Sequence, residues 1–171
     1  MLNSHSSIFY PSPFYLKMST LDHIDLAILR ALQKNARLTT KEVAAQVNLS
    51  STPVFERIKR MERDGIIKQY VAIVDASKLN RGFTVFTSVK LRHCTLEAAR
   101  EFIQCVENLP EVTECYNISG ANDYLLKVNV VDMKSYQYFV LGILGTLACV
   151  GHIESSFVME DIKHEYSVVL E

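Results

Sequence analysis

Four basic side chains in one short stretch, Arg57, Lys59, Arg60 and Arg63, have the chemistry to neutralise phosphates. Between Ser50 and Asp64 the apolar residues Val54, Ile58 and Met61 recur at helical spacing. The four cations fall off that stripe, which predicts that they are free to reach a polyanion. Ser50, Ser51 and Thr52 stand at the amino end, where short hydroxyls approach base edges or phosphates. Glu56 can accept from a cytosine amino group, and Phe55 can touch a thymine methyl. The run Glu56 to Asp64 also reads as a plain solvated amphipathic face, so charge alone does not decide.

The elements before this helix do. Leu21 to Gln33 carries Ile24, Ala27, Ile28, Ala31 and Leu32 at helical spacing, with Thr20 or Asp22 as cap and Asp22 and Asp25 in the first turn, where the helix dipole favours acids. Thr39 and Glu42 form a capping box that starts a short helix with Val43, Ala44 and Val47 on one side. Asn48-Leu49 breaks the period, Ser50 caps the third helix, Pro53 sits in its first turn and Gly65 ends it. A short helix, a tight turn and a second, basic helix make a helix-turn-helix, whose recognition helix presents its amino-terminal part to the major groove of double-stranded DNA.

The net charge of −1 conceals a division. Up to Gly82 there are twelve Lys and Arg against seven Asp and Glu, a net of +5; from Phe83 on there are six against twelve, a net of −6. A basic half joined to an acidic half predicts one domain with a polyanionic partner and one without. At 49% hydrophobic and 22% charged, the 171 residues have a globular composition. No apolar run reaches the roughly 18 residues a membrane helix needs. Residues 1–17 show no basic region before an apolar core, so no secretory signal is expected, and Met18 is read as the natural start or residues 1–18 as a flexible extension. Cys94, Cys105, Cys115 and Cys149 lack CxxC spacing; with His93 and His152 they match no zinc signature, so free thiols in a reducing cytoplasm are expected, with no metal and no cofactor.

The second half alternates strands and helices. Ile66 to Val74 predicts a strand, 75–82 a polar linker, Phe83 to Arg92 a strand, and Thr95 a cap for a helix with Ala99, Phe102, Ile103 and Val106 inward. Val112 to Ile118 is expected as a strand with Val112, Glu114, Tyr116 and Ile118 on one face; Tyr124 to Val131 is another. Asp132 caps a helix burying Tyr136, Phe139, Val140, Ile143, Leu144 and Leu147. Val150 to Met159 is a fourth strand and Lys163 to Val169 a short last one. The βαββαβ order predicts an α+β, ferredoxin-like antiparallel sheet with helices on one face. Phe86, Leu125 and Phe157 suggest that the other face is apolar and closes a dimer.

Three stretches together carry a family resemblance. They are Leu21-Asp22 through Asp25, Ile28-Leu29, Leu32-Gln33 and Ala36-Arg37; then Leu49-Ser50; then Arg57-Ile58-Lys59-Arg60-Met61-Glu62 with Gly65-Ile66-Ile67. In this order they resemble the Lrp/AsnC (feast/famine) family of transcription regulators over residues 19–171. The resemblance implies a winged helix-turn-helix over 19–74, a linker at 75–82, and a RAM-type domain for oligomerisation and effector binding over 83–171. It implies dimers that assemble into octamers or other higher oligomers. Arg37 takes a position implied to contact the DNA backbone or support the fold. Gly120-Ala121-Asn122-Asp123-Tyr124 looks like the family's effector loop, in which Asp123 would pair an amino acid's ammonium and free amides its carboxylate. The same five residues also read as a hairpin in which Asp123 satisfies its own loop. Family ligand contacts on the last strand fall at Ile153 and Ser155, and the apolar Ile153 suggests an effector such as leucine or methionine. No nucleophile–base pair or phosphate loop is present, so an enzyme is not expected. An architectural, DNA-compacting protein without effector is the competing reading.

Overall fold

The computed structural model describes residues 21–170 and divides into two units, residues 21–73 with 163–170, and Val74–Ile162. The extension at residues 1–18, with Met18, lies outside the described residues.

In the first unit, α1 spans His23–Lys34, α2 Thr40–Gln46 and α3 Ser51–Arg63. Asp22 is the cap of α1, accepting from the amides of Ile24 and Asp25, while the Asp25 side chain reaches back to the Asp22 amide. Thr39 and Glu42 close the expected capping box on α2. Between α2 and α3 the chain turns at Asn48, whose left-handed φ of 54° suits a short polar side chain. Ser50 occupies the cap position of α3, but its hydroxyl caps nothing. Gly65, at φ 72°, ends the helix, and the amides of Ile66 and Ile67 both donate to the Met61 carbonyl. Ile28, Leu29, Leu32, Val43, Ala44, Val54 and Met61 form the core of this unit.

Two expected strands are not formed. Ile66 to Val74 forms no strand: Ile66 and Ile67 pack on the helical core, residues 68–74 are exposed, and a strand needs a neighbour, which none of the described residues supplies here. Lys163 to Val169 does not join the second-domain sheet either. It lies against α1, where the Gln33 side chain pairs both ways with the Val168 backbone (3.2 and 2.7 Å), Arg30 donates to the Leu170 carbonyl (2.7 Å), and Leu170 packs on the helical core.

The second unit begins with a turn of 3₁₀ helix at Ala76–Leu79. Then follow β1 (Phe83–Leu91), α4 (Leu96–Val106), β2 (Val112–Asn117), β3 (Tyr124–Val130), α5 (Met133–Tyr138) and β4 (Val150–Phe157). The sheet order β2-β3-β1-β4, antiparallel throughout, is the ferredoxin-like arrangement that the βαββαβ order predicts. Val85, Val89 and Leu91 of β1 and Leu126, Val128 and Val130 of β3 meet Phe102, Val106, Tyr136 and Phe139 in one dry layer. The second helix is interrupted: after Tyr138 the chain widens into a π turn (Phe139–Ile143) and tightens into a 3₁₀ turn (Leu144–Thr146), which still delivers Phe139 and Leu144 to the core.

The open face of the sheet differs from expectation. Thr113 is an extra residue in β2, so Val112 pairs with Val128 on the helix side while Glu114 and Tyr116 turn to the open side. Phe157 pairs with Val85 and therefore also faces the helices, against Tyr136. Phe86, Leu125 and Tyr116 remain on the open face beside the ion pairs Lys127–Glu114 (3.0 Å) and Lys90–Asp123 (2.9 Å), so that face is mixed rather than continuously apolar. Phe102, fully buried with its ring 4.6 Å from that of Tyr124, anchors α4 to the sheet. Phe102→Ala should cost about 3–5 kcal/mol in denaturant unfolding. Leu96→Ala, on the exposed side of the same helix, should stay within about 0.5 kcal/mol. Equal effects would mean that α4 does not pack as described.

Candidate nucleic-acid interface and effector site

α3 buries Val54 and Met61 and turns Ser51, Thr52, Phe55, Glu56, Lys59 and Arg63 to solvent. Ser50 precedes them and is exposed. Lys59 lies 5.7 Å from the centre of the Phe55 ring and pairs with Glu62 at 2.8 Å. Arg63, 74% exposed, pairs with its neighbour Asp64. Arg37 is exposed at the turn between α1 and α2, where its amide donates to the Asn35 side chain. Ser50, Ser51, Thr52, Phe55, Glu56, Lys59, Arg63 and Arg37 are thus solvent-exposed, whereas two of the expected cations are not free.

Arg57 and Arg60 are not free. Their positions, three apart on α3, put both guanidiniums against the amino end of α1. Arg57 Nη1 donates to Asp22 Oδ2 and to Asp25 Oδ1, each at 2.7 Å, and Arg60 Nη2 donates to Asp25 Oδ2. The Asp25 and Asp22 carboxylates hold the Arg57 pKa above its ordinary value, Asp25 contributing most. Asp22 is held below the usual carboxylate range, first by the Asp25 amide and then by Arg57. A helical wheel shows which residues leave the apolar stripe but not which element they then meet. The signal was present in Asp25, a carboxylate one turn from Leu29, which sequence reasoning assigned only to the helix dipole. Glu56, Arg57, Arg60 and Arg63 line a polar cleft of about 360 Å³ on this surface; Arg60 Nε itself is buried and has no partner among the described residues.

The effector residues divide between two places. Gly120, at φ 140°, adopts a backbone that other residues resist, and the amides of Gly120, Ala121 and Asn122 donate to nothing among the described residues. These amides are available to an anion. The Asp123 carboxylate is already engaged: Oδ1 accepts from Lys90 Nζ (2.9 Å) and Oδ2 from the Leu91 amide (2.8 Å). Lys90 first, and the Leu91 amide next, hold its pKa below the ordinary value. Asn122 Nδ2 reaches Glu154 on β4 (3.1 Å), so loop and last strand meet on the open side of the sheet. Tyr124 is buried against Phe102.

Ile153 and Ser155 face the other way. They pair with Val89 and Thr87, both buried on the helix side. Ile153 packs on the core. Ser155 accepts from the Tyr136 hydroxyl, which also bonds Thr87 Oγ1 (2.9 Å), and lines a groove of about 420 Å³ with Met133, Val140, Leu141 and Phe157. Side-chain alternation makes this division inevitable once the register is set, but the register depends on pairings between distant strands. Among the described residues no group of three metal-ligating side chains occurs, and no helix is long and apolar enough to cross a membrane.

Comparison with known proteins agrees with both units. Residues 21–68 match the winged helix-turn-helix DNA-binding family, and residues 84–168 match the Lrp/AsnC ligand binding domain. The chain is 37% identical over 151 residues to the DNA-binding transcriptional activator DecR of Escherichia coli, covering 88% of this chain and 99% of that one. It is 36% identical over 150 residues to the leucine-responsive regulatory protein of Escherichia coli, covering 88% and 92%. Among solved structures it is similar to a transcriptional regulator of Neisseria meningitidis in complex with L-Met, at 38% identity and a TM-score of 0.84, covering 88% of this chain and 97% of that one. With a DNA-binding helical unit and a ligand-binding sheet in this order, the chain belongs to the Lrp/AsnC family of transcriptional regulators.

Proposed function

We propose that the protein is a sequence-preferring DNA-binding regulator whose action responds to a small amino acid with an apolar side chain, such as leucine or methionine. The observation that carries the reading is the α3 surface. Short polar and aromatic side chains, Ser51, Thr52, Phe55 and Glu56, stand at its amino half, and exposed cations, Lys59 and Arg63, follow. A relative described as leucine-responsive and a similar structure holding L-Met support the choice of effector. The unpartnered amides of Gly120, Ala121 and Asn122 suit its carboxylate, and its ammonium would share Asp123 with Lys90. The protein works in the cytoplasm as a homo-oligomer built from dimers. The exposed apolar residues Tyr70, Val71, Ile73 and Val74 of the connecting stretch favour a partner chain there. It regulates rather than catalyses.

Fluorescence-anisotropy titration tests this reading, using the DNA upstream of the protein's own coding sequence beside a scrambled duplex, with and without leucine and methionine. A preference of roughly a thousandfold, shifted by one amino acid, is expected. Equal affinity for both duplexes and no amino-acid effect would favour the architectural role instead. Arg63→Ala should weaken both duplexes alike and reduce the slope of log affinity against log salt by about 0.9. A loss confined to one sequence would make Arg63 a base reader.

Asp123 carries its own expectation. Its folded pKa is depressed, so its contribution to stability is present above about pH 4 and lost as pH falls through the lowered folded value. Acid unfolding followed by circular dichroism should therefore be less steep in Asp123→Asn than in the native chain. The variant should also show a blunted amino-acid response while its oligomer size in light scattering is unchanged. Dissociation to monomers would assign Asp123 to assembly.

A further inference from the structure

A carboxylate with 1% of its surface exposed is an unusual choice for the contact between α1 and α3. Two arginines answer it, and the ion pairs satisfy the buried charge without making the contact stronger than an apolar one of the same size. What the ion pairs supply is direction. Asp22 is fixed by its duty as cap of α1, since its Oδ1 receives the amides of Ile24 and Asp25. Asp25 is fixed in turn, since its Oδ2 receives the Asp22 amide at 3.1 Å. The two carboxylates are therefore rigid before they meet α3. Arg57 and Arg60 commit one nitrogen each to them, and their guanidiniums border the cleft shared with Glu56 and Arg63. Arg60 Nε is itself buried and has no partner among the described residues, so the donors left to a phosphate are on the guanidinium nitrogens beyond it.

We propose that the Asp22–Asp25 carboxylate pair is a specificity-determining positioning element for DNA. It holds the Arg57 and Arg60 guanidiniums in one geometry, so that their remaining donors meet phosphates in a single register and the residues at the amino end of α3 reach particular bases. Phosphate contacts set orientation and base contacts set sequence, so a group that aims the first governs the second. The inference rests on the DNA-binding reading above and adds to it residues that touch no DNA. It also has a signature that a purely structural role lacks. Removing one of these acids adds a positive charge beside the cleft, so affinity for arbitrary DNA should hold or rise while discrimination falls.

The test uses the full chain, with a duplex enriched by the native protein from a random-sequence pool and a scrambled duplex of the same composition. For Asp25→Asn the ratio of the two affinities should fall roughly tenfold, the worth of about one base contact, with scrambled-duplex affinity unchanged or higher. An unchanged ratio would overturn the proposal, as would both affinities falling together. Asp22→Asn keeps the helix cap, because Asn caps as well as Asp, and replaces the oxygen facing Arg57 with an amide NH2 that carries no charge and cannot accept from it. It should lower the ratio about threefold with the thermal midpoint nearly unchanged, and it carries the test alone if Asp25→Asn does not fold. A native chain that shows no preference between the duplexes would overturn the DNA reading itself, and this inference with it.

Discussion

A buried carboxylate must be answered by charge or by hydrogen bonds, and Asp25 is answered by both. The orientation of the recognition helix depends on that requirement. Val54 and Met61 seat α3 on the apolar core, but apolar contact is non-directional and tolerates sliding. The arginine pair does not tolerate it: a shift of one residue along α3 would withdraw both guanidiniums from Asp25 and leave a charge without a partner, which is far costlier than a cavity of similar size. The capping box of α1 belongs to the same network, because the residue that caps the helix is also the second acceptor for Arg57. Helix start, helix packing and the aim of two cations are thus one set of hydrogen bonds.

The second unit solves a comparable problem with neutral groups. Thr87 lies in the centre of the sheet with none of its surface exposed, and its hydroxyl needs a partner in the apolar layer. Tyr136 of α5 provides one and passes the bond on to Ser155 of β4. The chain of hydroxyls fixes α5 over β1 and the edge strand at the point where the helix gives way to a wider turn. At the loop end of the sheet, Asp123 performs the equivalent service by tying the Gly120 turn to the Leu91 amide and to Lys90. A loop anchored at one residue and free at the preceding amides combines a fixed frame with unoccupied donors, which is what capture of a carboxylate asks of a backbone.

Much of this was legible in the sequence, and most of what was missed has a common cause. Caps and turns are local, so Thr39, Thr95, Asp132 and Gly65 were read in the positions they occupy, and Asp22 was one of two candidates for the cap of α1. Hydrophobic period is nearly local, so the element order and the ferredoxin-like sheet followed from it. Ser50, whose hydroxyl caps nothing, is a local misreading; most of the others concern partners distant along the chain. Arg57 and Arg60 looked free because Asp25 is more than thirty residues away. Phe157 looked outward because its face is set by pairing with Val85, and the bulge at Thr113 separates Val112 from Glu114 and Tyr116, which were expected to share its face. The segments 66–74 and 163–169 have strand composition, but composition does not supply a neighbouring strand.

The same distinction separates affinity from specificity on the DNA surface. The basic half of the chain carries a net of +5, yet Arg57 and Arg60 contribute little to its outward field, because Asp22 and Asp25 cancel them at contact distance. The field that draws a polyanion must come from cations whose neighbours leave them exposed, such as Arg37, Lys41 and Arg63. Exposed cations on flexible stems can follow any phosphate backbone and so favour DNA of every sequence. Neutralised arginines held by rigid acids give up that attraction and gain a fixed direction. On the reading proposed above, a helix that carries both kinds first attracts a duplex and then tests its register, and the division of labour follows from which arginines on α3 face Asp25.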